Sequence, residues 1–261
     1  MVHHSGGLVV GVPKDAFKPS PIFLATVALF LTTGGMLWTG YGNEGLNAFL
    51  FILAGWVVSL CLHEYAHALV AFRGGDVGVA HRGYLRLDPL KYSHPLLSIV
   101  IPLVFVILGG IGLPGGAVWV DRHVLRGKVW DSGVSFAGPL MNILFTLALV
   151  VPFALGADLL ARPAFWGSVA FLAFLQLTAS LLNLMPIPGI DGGNLIGPWL
   201  SPEWQRGFDK VAPFGMLLLF ALLWEPRINN LFFGLVFGVA DLLGLPREMY
   251  AYGYDLFRFW S

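Results

Sequence analysis

The sequence predicts an all-α polytopic membrane protein with about five to six transmembrane helices and one membrane-dipping β-hairpin. Three observations lead there. Of the 261 residues, 57% are hydrophobic and only 11% charged, against about 25% charged in an ordinary soluble domain. Four windows, 19–43, 95–120, 132–157 and 163–190, contain no charged residue, and each exceeds the roughly 20 apolar residues that cross a hydrocarbon core. The second of these windows holds "GGIGLPGG" at 109–116, too many glycines for a straight helix.

Taken in order, residues 1–20 form a cytoplasmic lead with Lys14, Lys18 and a short strand. Adjacent His3 and His4, near a terminus, read as neither catalytic nor structural. The first span, about 21–40, is too long and too far in for a cleavable signal core, so it is retained. A second span covers about 46–72, followed by a basic loop with Arg73, Arg82, Arg86 and Lys91. Region 95–120 reads as a helix plus hairpin that dips in and returns, tolerable at that depth only when buried in protein or lining a wet cavity. Spans at about 132–155 and 164–186 complete a core over 21–200. The remainder, 201–261, is membrane-associated: of its apolar runs 211–224 and 228–240, one spans and the other packs at the interface. Its aromatic tail "PREMYAYGYDLFRFW" suits the headgroup level.

Lys and Arg set the orientation. They cluster before the first span, in 73–94 and in 121–131 (Arg122, Arg126, Lys128), while the loop at 40–45 has none. Those three segments are therefore expected in the cytoplasm, which requires an even number of crossings between 94 and 121. Fifteen basic and fifteen acidic residues balance to zero, leaving no basic footprint for nucleic acid. Cys61 is the only cysteine, so no internal disulfide can form. It points away from the neighbouring histidines and reads as a small buried hydrophobe.

The chemistry begins at "HEYAH", residues 63–67. Positions i and i+4 share a helix face, so His63 and His67 can hold one metal, with Glu64 at the edge of that face beside a coordinated water. H-E-x-x-H is the zinc-hydrolase pattern, and three ionisable groups within a lipid span are functional by default. Catalytic zinc takes three protein ligands plus water. His81, His94 and His123 lie in polar loops and read as solvated; Asp191 fits better. It ends the uncharged segment in "LNLMPIPGIDGGN", where Pro186 and Pro188 force extended backbone and Gly189, Gly192 and Gly193 allow a close turn. A carboxylate near hydrocarbon costs about 2.5–3.5 kcal/mol at a helix centre, and a metal on the second span would offset it.

With these elements the chain resembles the site-2 protease family of intramembrane zinc metalloproteases, in the compact form without PDZ or CBS domains. "HEYAH" and "NLMPIPGIDG" match its H-E-x-x-H and N-x-x-P-x-P-x-x-D-G motifs. "FAGPLMN" resembles its G-x-x-x-N, giving Gly138 and Asn142, and "GGIGLPGGAVWV" resembles its dipping hairpin. The likeness covers roughly 7–200. It implies a three-helix catalytic core, Zn2+ on His63, His67 and Asp191, Glu64 activating water, and Asn142 and Asn183 lining the cleft. Gly138 would let helices pack closely. Hairpin residues 109–120 would hold an unwound substrate strand by β-addition. The resemblance also implies cleavage of single-span membrane proteins, such as anti-sigma factors or membrane-bound transcription regulators, in a bacterial or archaeal cell membrane. Gating would come from the spans, a regulatory membrane partner or a homo-oligomer. Two other readings share the metal site: a zinc-dependent membrane hydrolase of another substrate class, and a non-catalytic metal carrier or scaffold. Glu64 argues against the latter.

Overall fold

The computed structural model describes residues 11–92 and 118–260. The expected hairpin and His94 fall mostly or wholly outside them, and the described residues contain helices but no β-strand.

Helix α1 (Pro21–Thr39) starts where Ser20 accepts a hydrogen bond from the Phe23 amide, and Pro21 occupies the first turn, where its missing N–H costs nothing. Asn43 caps α2 (Glu44–Gly74) by accepting from the Leu46 amide at 2.8 Å. At 31 residues, α2 is about 46 Å long, well beyond the roughly 30 Å hydrocarbon core. A short α3 (Gly78–His81) follows, then α4 (Lys128–Ala154) and α5 (Pro163–Asn183).

Among the described residues, five helical stretches are long and apolar enough to cross a membrane: α1, α2, α4, α5 and Pro202–Trp224. Burial separates their roles. The apolar window of α5 is 83% buried and that of α1 only 22%, so α5 is the inner helix and α1 faces outward. Small residues on α5, including Ala164, Gly167, Ala170, Ala173 and Ala179, allow the close approach that packing in lipid relies on.

After α5 the chain turns into α6 (Asp191–Ile196), then α7 (Pro202–Val211) and α8 (Gly215–Trp224). The stretch Pro202–Trp224 forms one candidate span, longer than the 211–224 run read from the sequence, because its prolines fall in first turns of helical segments. Helices α9 (Pro226–Leu242) and α10 (Arg247–Phe257) are bent by 115° relative to each other. The aromatic tail folds back on the bundle: Phe257 is fully buried against Phe171 of α5 and Phe49 of α2.

The two ends of segment 75–127 meet. The Arg126 amide donates to the Gly74 carbonyl at the end of α2, and the Asp121 amide donates to Asp76 at 2.8 Å. Tyr92 donates its hydroxyl to the Cys61 carbonyl, two residues from His63. The chain therefore leaves and rejoins the bundle at the histidine end of α2, which is also the C-terminal end of α5.

Candidate active site

His63 and His67 lie on one face of α2, and Asp191 opens α6 directly opposite. Nε2 of His63 and Nε2 of His67 are 3.0 Å apart. Oδ2 of Asp191 is 3.2 Å from the first and 3.4 Å from the second. Tetrahedral zinc with ligand bonds of about 2.0–2.1 Å requires ligand–ligand edges of about 3.3 Å. The three donors thus form one face of such a tetrahedron and could hold a metal.

Two of the three donors, His67 and Asp191, are fixed by their surroundings. Nδ1 of His67 lies 2.6 Å from the Val134 carbonyl on α4. A carbonyl only accepts, so the proton sits on Nδ1 and Nε2 presents its lone pair to the site. Asp191 is positioned by the turn before it. Pro188 and Gly189 form a turn in which the Ile190 amide donates to the Ile187 carbonyl at 3.0 Å, and the backbone folds tightly on itself. A Cβ on Gly192 would stand 2.3 Å from the Leu184 carbonyl oxygen, and one on Gly193 would stand 1.9 Å from that of Ile187. Only glycine fits either position. Helix α6 is held against α4 by Ser132, whose hydroxyl donates to the Leu195 carbonyl at 2.7 Å and accepts from Trp199 Nε1 at 2.8 Å.

Gly138 of α4 faces the donors across the remaining side. A Cβ there would stand 2.2 Å from Nε2 of His67 and 2.5 Å from Nε2 of His63. The missing side chain leaves the space that an ion on those nitrogens needs. Both the donor spacing and this cradle fit a zinc ion.

Glu64 is 1% exposed, lines the same cleft, and its Oε2 has no partner among the described residues. The cleft measures about 160 Å³, and Val118, Val120 and Arg122 are part of its lining.

Rip2 of Mycobacterium tuberculosis (strain ATCC 25618 / H37Rv), named as a zinc metalloprotease, is 44% identical over 252 residues, 95% of this chain and 96% of its own. This chain belongs to the site-2 protease family of intramembrane zinc metalloproteases. Rip2 of Mycolicibacterium smegmatis is 42% identical over the same shares, and YwhC of Bacillus subtilis (strain 168) is 27% identical over 69% of this chain and 83% of its own. No family model matches the sequence, and no solved structure does. As a site-2 protease the chain is a multi-pass membrane enzyme that uses zinc to cleave peptide bonds in membrane proteins.

The residues singled out in the sequence distribute unevenly. His63, Glu64, His67, Asn183 and Asp191 all line the cleft, whereas Asn142 lies beside His63 in a second polar chamber that Asn183 also reaches. His81 and His123 are exposed, away from the donor cluster. Cys61 is buried among apolar neighbours. Three polar residues of the cleft were missed by sequence reasoning, Arg122, Ser135 and Asn194. Asn194 had a signal: it follows Asp191 by three positions, one helical turn. Arg122 ion-pairs with Asp131 and donates to Ser135 at 3.2 Å; nothing in its local sequence marks it.

Proposed function

We propose that His63, His67 and Asp191 are the zinc ligands of this protease and that Glu64 is its general base. The observation that carries the reading is the convergence of three donors within one tetrahedral face, beside a buried glutamate in the same cleft. Zinc held there would lower the pKa of a coordinated water to about 7 and polarise the scissile carbonyl. Glu64 takes the proton of the attacking water and delivers it to the leaving amine nitrogen. Amide groups of Asn183 and Asn194, both lining the cleft, donate hydrogen bonds to the substrate backbone or to the developing oxyanion. In this reading Asn142 acts from beside His63.

A transmembrane substrate hides its carbonyls in i→i−4 bonds, so it must unwind before attack. Val118 and Val120 both line the cleft while Trp119 between them is 54% exposed, beneath the Arg82 guanidinium. That alternation is the signature of extended backbone, and it supports docking of an unwound substrate strand along 118–120 by β-addition. The cytoplasm is the side assigned to the site. Arg82, Arg86, Lys91, Arg122 and Arg126 fall in the connection at the histidine end, with Arg73 and Lys128 in the helix turns that flank it, while the connection between α4 and α5 carries Arg162 as its one basic residue. The substrates inferred are single-span proteins such as anti-sigma factors or membrane-bound transcription regulators.

Glu64→Gln tests the assignment. The variant should retain zinc and lose cleavage of a single-span reporter in proteoliposomes. Retained cleavage would remove Glu64 from the chemistry.

A further inference from the structure

Beside His63 lies a second, small polar space of about 20 Å³, which shares His63 and Asn183 with the cleft. Its polar lining is Trp56, Ser59, His63, Asn142, Gln176 and Asn183, from α2, α4 and α5. All six are buried, Ser59 and Gln176 to within 2% of full burial. Trp56, Ser59 and His63 stand at i, i+3 and i+7, one stripe of α2; Gln176 and Asn183 are seven apart, one stripe of α5. Such a concentration of polar groups inside a membrane bundle is costly unless each finds a partner.

Two of them have none among the described residues: Nδ1 of His63 and Nε1 of Trp56. On the ligand assignment above, on which this argument rests, Nε2 of His63 supplies a lone pair to zinc, so its single proton sits on Nδ1. Indole Nε1 can only donate. Two of the residues that line the chamber thus carry buried N–H donors in need of acceptors. Among the amide oxygens, Ser59 has one proton to give and it goes to Oε1 of Gln176 at 2.5 Å; Oδ1 of Asn142, at 3.4 Å from the same hydroxyl, is left needing a donor. A water molecule balances this account, with two lone pairs for the N–H groups and two protons for amide oxygens. The space exceeds the roughly 10–15 Å³ that one water requires, and the polar partners suffice.

We propose that this chamber holds one ordered water that accepts from His63 Nδ1, and that Trp56, Ser59 and Gln176 are positioning residues that fix the water and through it the ring of His63. A ligating histidine gains orientation and basicity from the partner of its second nitrogen, and loss of that partner typically lowers metal affinity about 10–100-fold.

The test measures zinc affinity of the full-length protein in detergent by chelator competition, with the visible spectrum of the cobalt-substituted form as a second readout. Gln176→Leu removes one polar wall of the chamber at nearly constant volume, and Ser59→Ala is a milder probe that decides if the first variant fails to fold. Both should bind zinc about 10–100-fold more weakly and shift the cobalt bands. Thr178→Val, which removes a buried hydroxyl of α5 bonded within its own helix, should match the wild type. Wild-type affinity and spectrum in the folded chamber variants, or an equal loss in Thr178→Val, overturns the proposal while leaving the ligand assignment standing. Zinc binding that survives His63→Ala overturns the ligand assignment and this proposal with it.

Discussion

Gly138 sits so close to His67 that a methyl group in place of its hydrogen would stand 2.2 Å from the ring's Nε2. The sequence reading assigned this glycine to helix packing, yet the surface it approaches is the donor face of the two imidazoles. Gly138→Ala is therefore expected to act on the metal. Zinc affinity should fall by more than the roughly 100-fold typical of losing a supporting partner, with the helical circular dichroism of the bundle retained. Metal analysis of the purified variant checks this.

Ser132 joins α4 to α6 through Leu195 and Trp199, and α6 begins with Asp191. Ser132→Ala removes both bonds at a buried site, at a cost of about 1 kcal/mol each. The expected result is a lower thermal midpoint together with several-fold weaker zinc binding. A midpoint that falls while zinc affinity holds would mean that Asp191 is positioned by its own turn alone.

Asp76 is 3% exposed and accepts from the amides of Gly78 at 2.9 Å and Asp121 at 2.8 Å. It also ion-pairs with Arg82, whose guanidinium lies over Trp119. These contacts anchor the segment that brings Val118 and Val120 to the cleft. Asp76→Ala leaves two amides without their acceptor, costing about 1–3 kcal/mol each. Cleavage of a helical substrate should drop while zinc content is unchanged, as measured in parallel on the same preparation.

Tyr92 is buried and donates to the Cys61 carbonyl, and burial pushes its phenol well above the usual tyrosine range. The folded state thus keeps a proton that the unfolded state releases above about pH 10. With fewer protons bound in the unfolded state, stability falls as pH rises through that region. The thermal midpoint should decline between about pH 10 and 11, and less steeply in Tyr92→Phe.

Much of the site was legible because its chemistry is encoded locally. A four-residue spacing places His63 and His67 on one helical face, and a proline-glycine turn marks Asp191 as an unusual end to an apolar segment. What escaped the sequence depends on contacts between distant helices. Arg122 joins the cleft because segment 118–127 returns to the end of α2. Ser59 and Gln176, 117 positions apart, look like ordinary small and amide residues of separate spans until α2 and α5 are packed. The C-terminal part was the least readable. Runs 211–224 and 228–240 were each too short to assign, and only packing reveals that Pro202–Trp224 is one stretch and that the tail covers Phe171.

The central claim is that His63, His67 and Asp191 ligate zinc. X-ray absorption at the zinc edge tests it most directly, on the wild type and on Asp191→Ala. The expected wild-type signal is two imidazole nitrogens at about 2.0–2.1 Å with oxygen in the remaining positions, and zinc binding should collapse in Asp191→Ala. A third imidazole, a sulfur scatterer from Cys61, or full zinc occupancy in Asp191→Ala would contradict it.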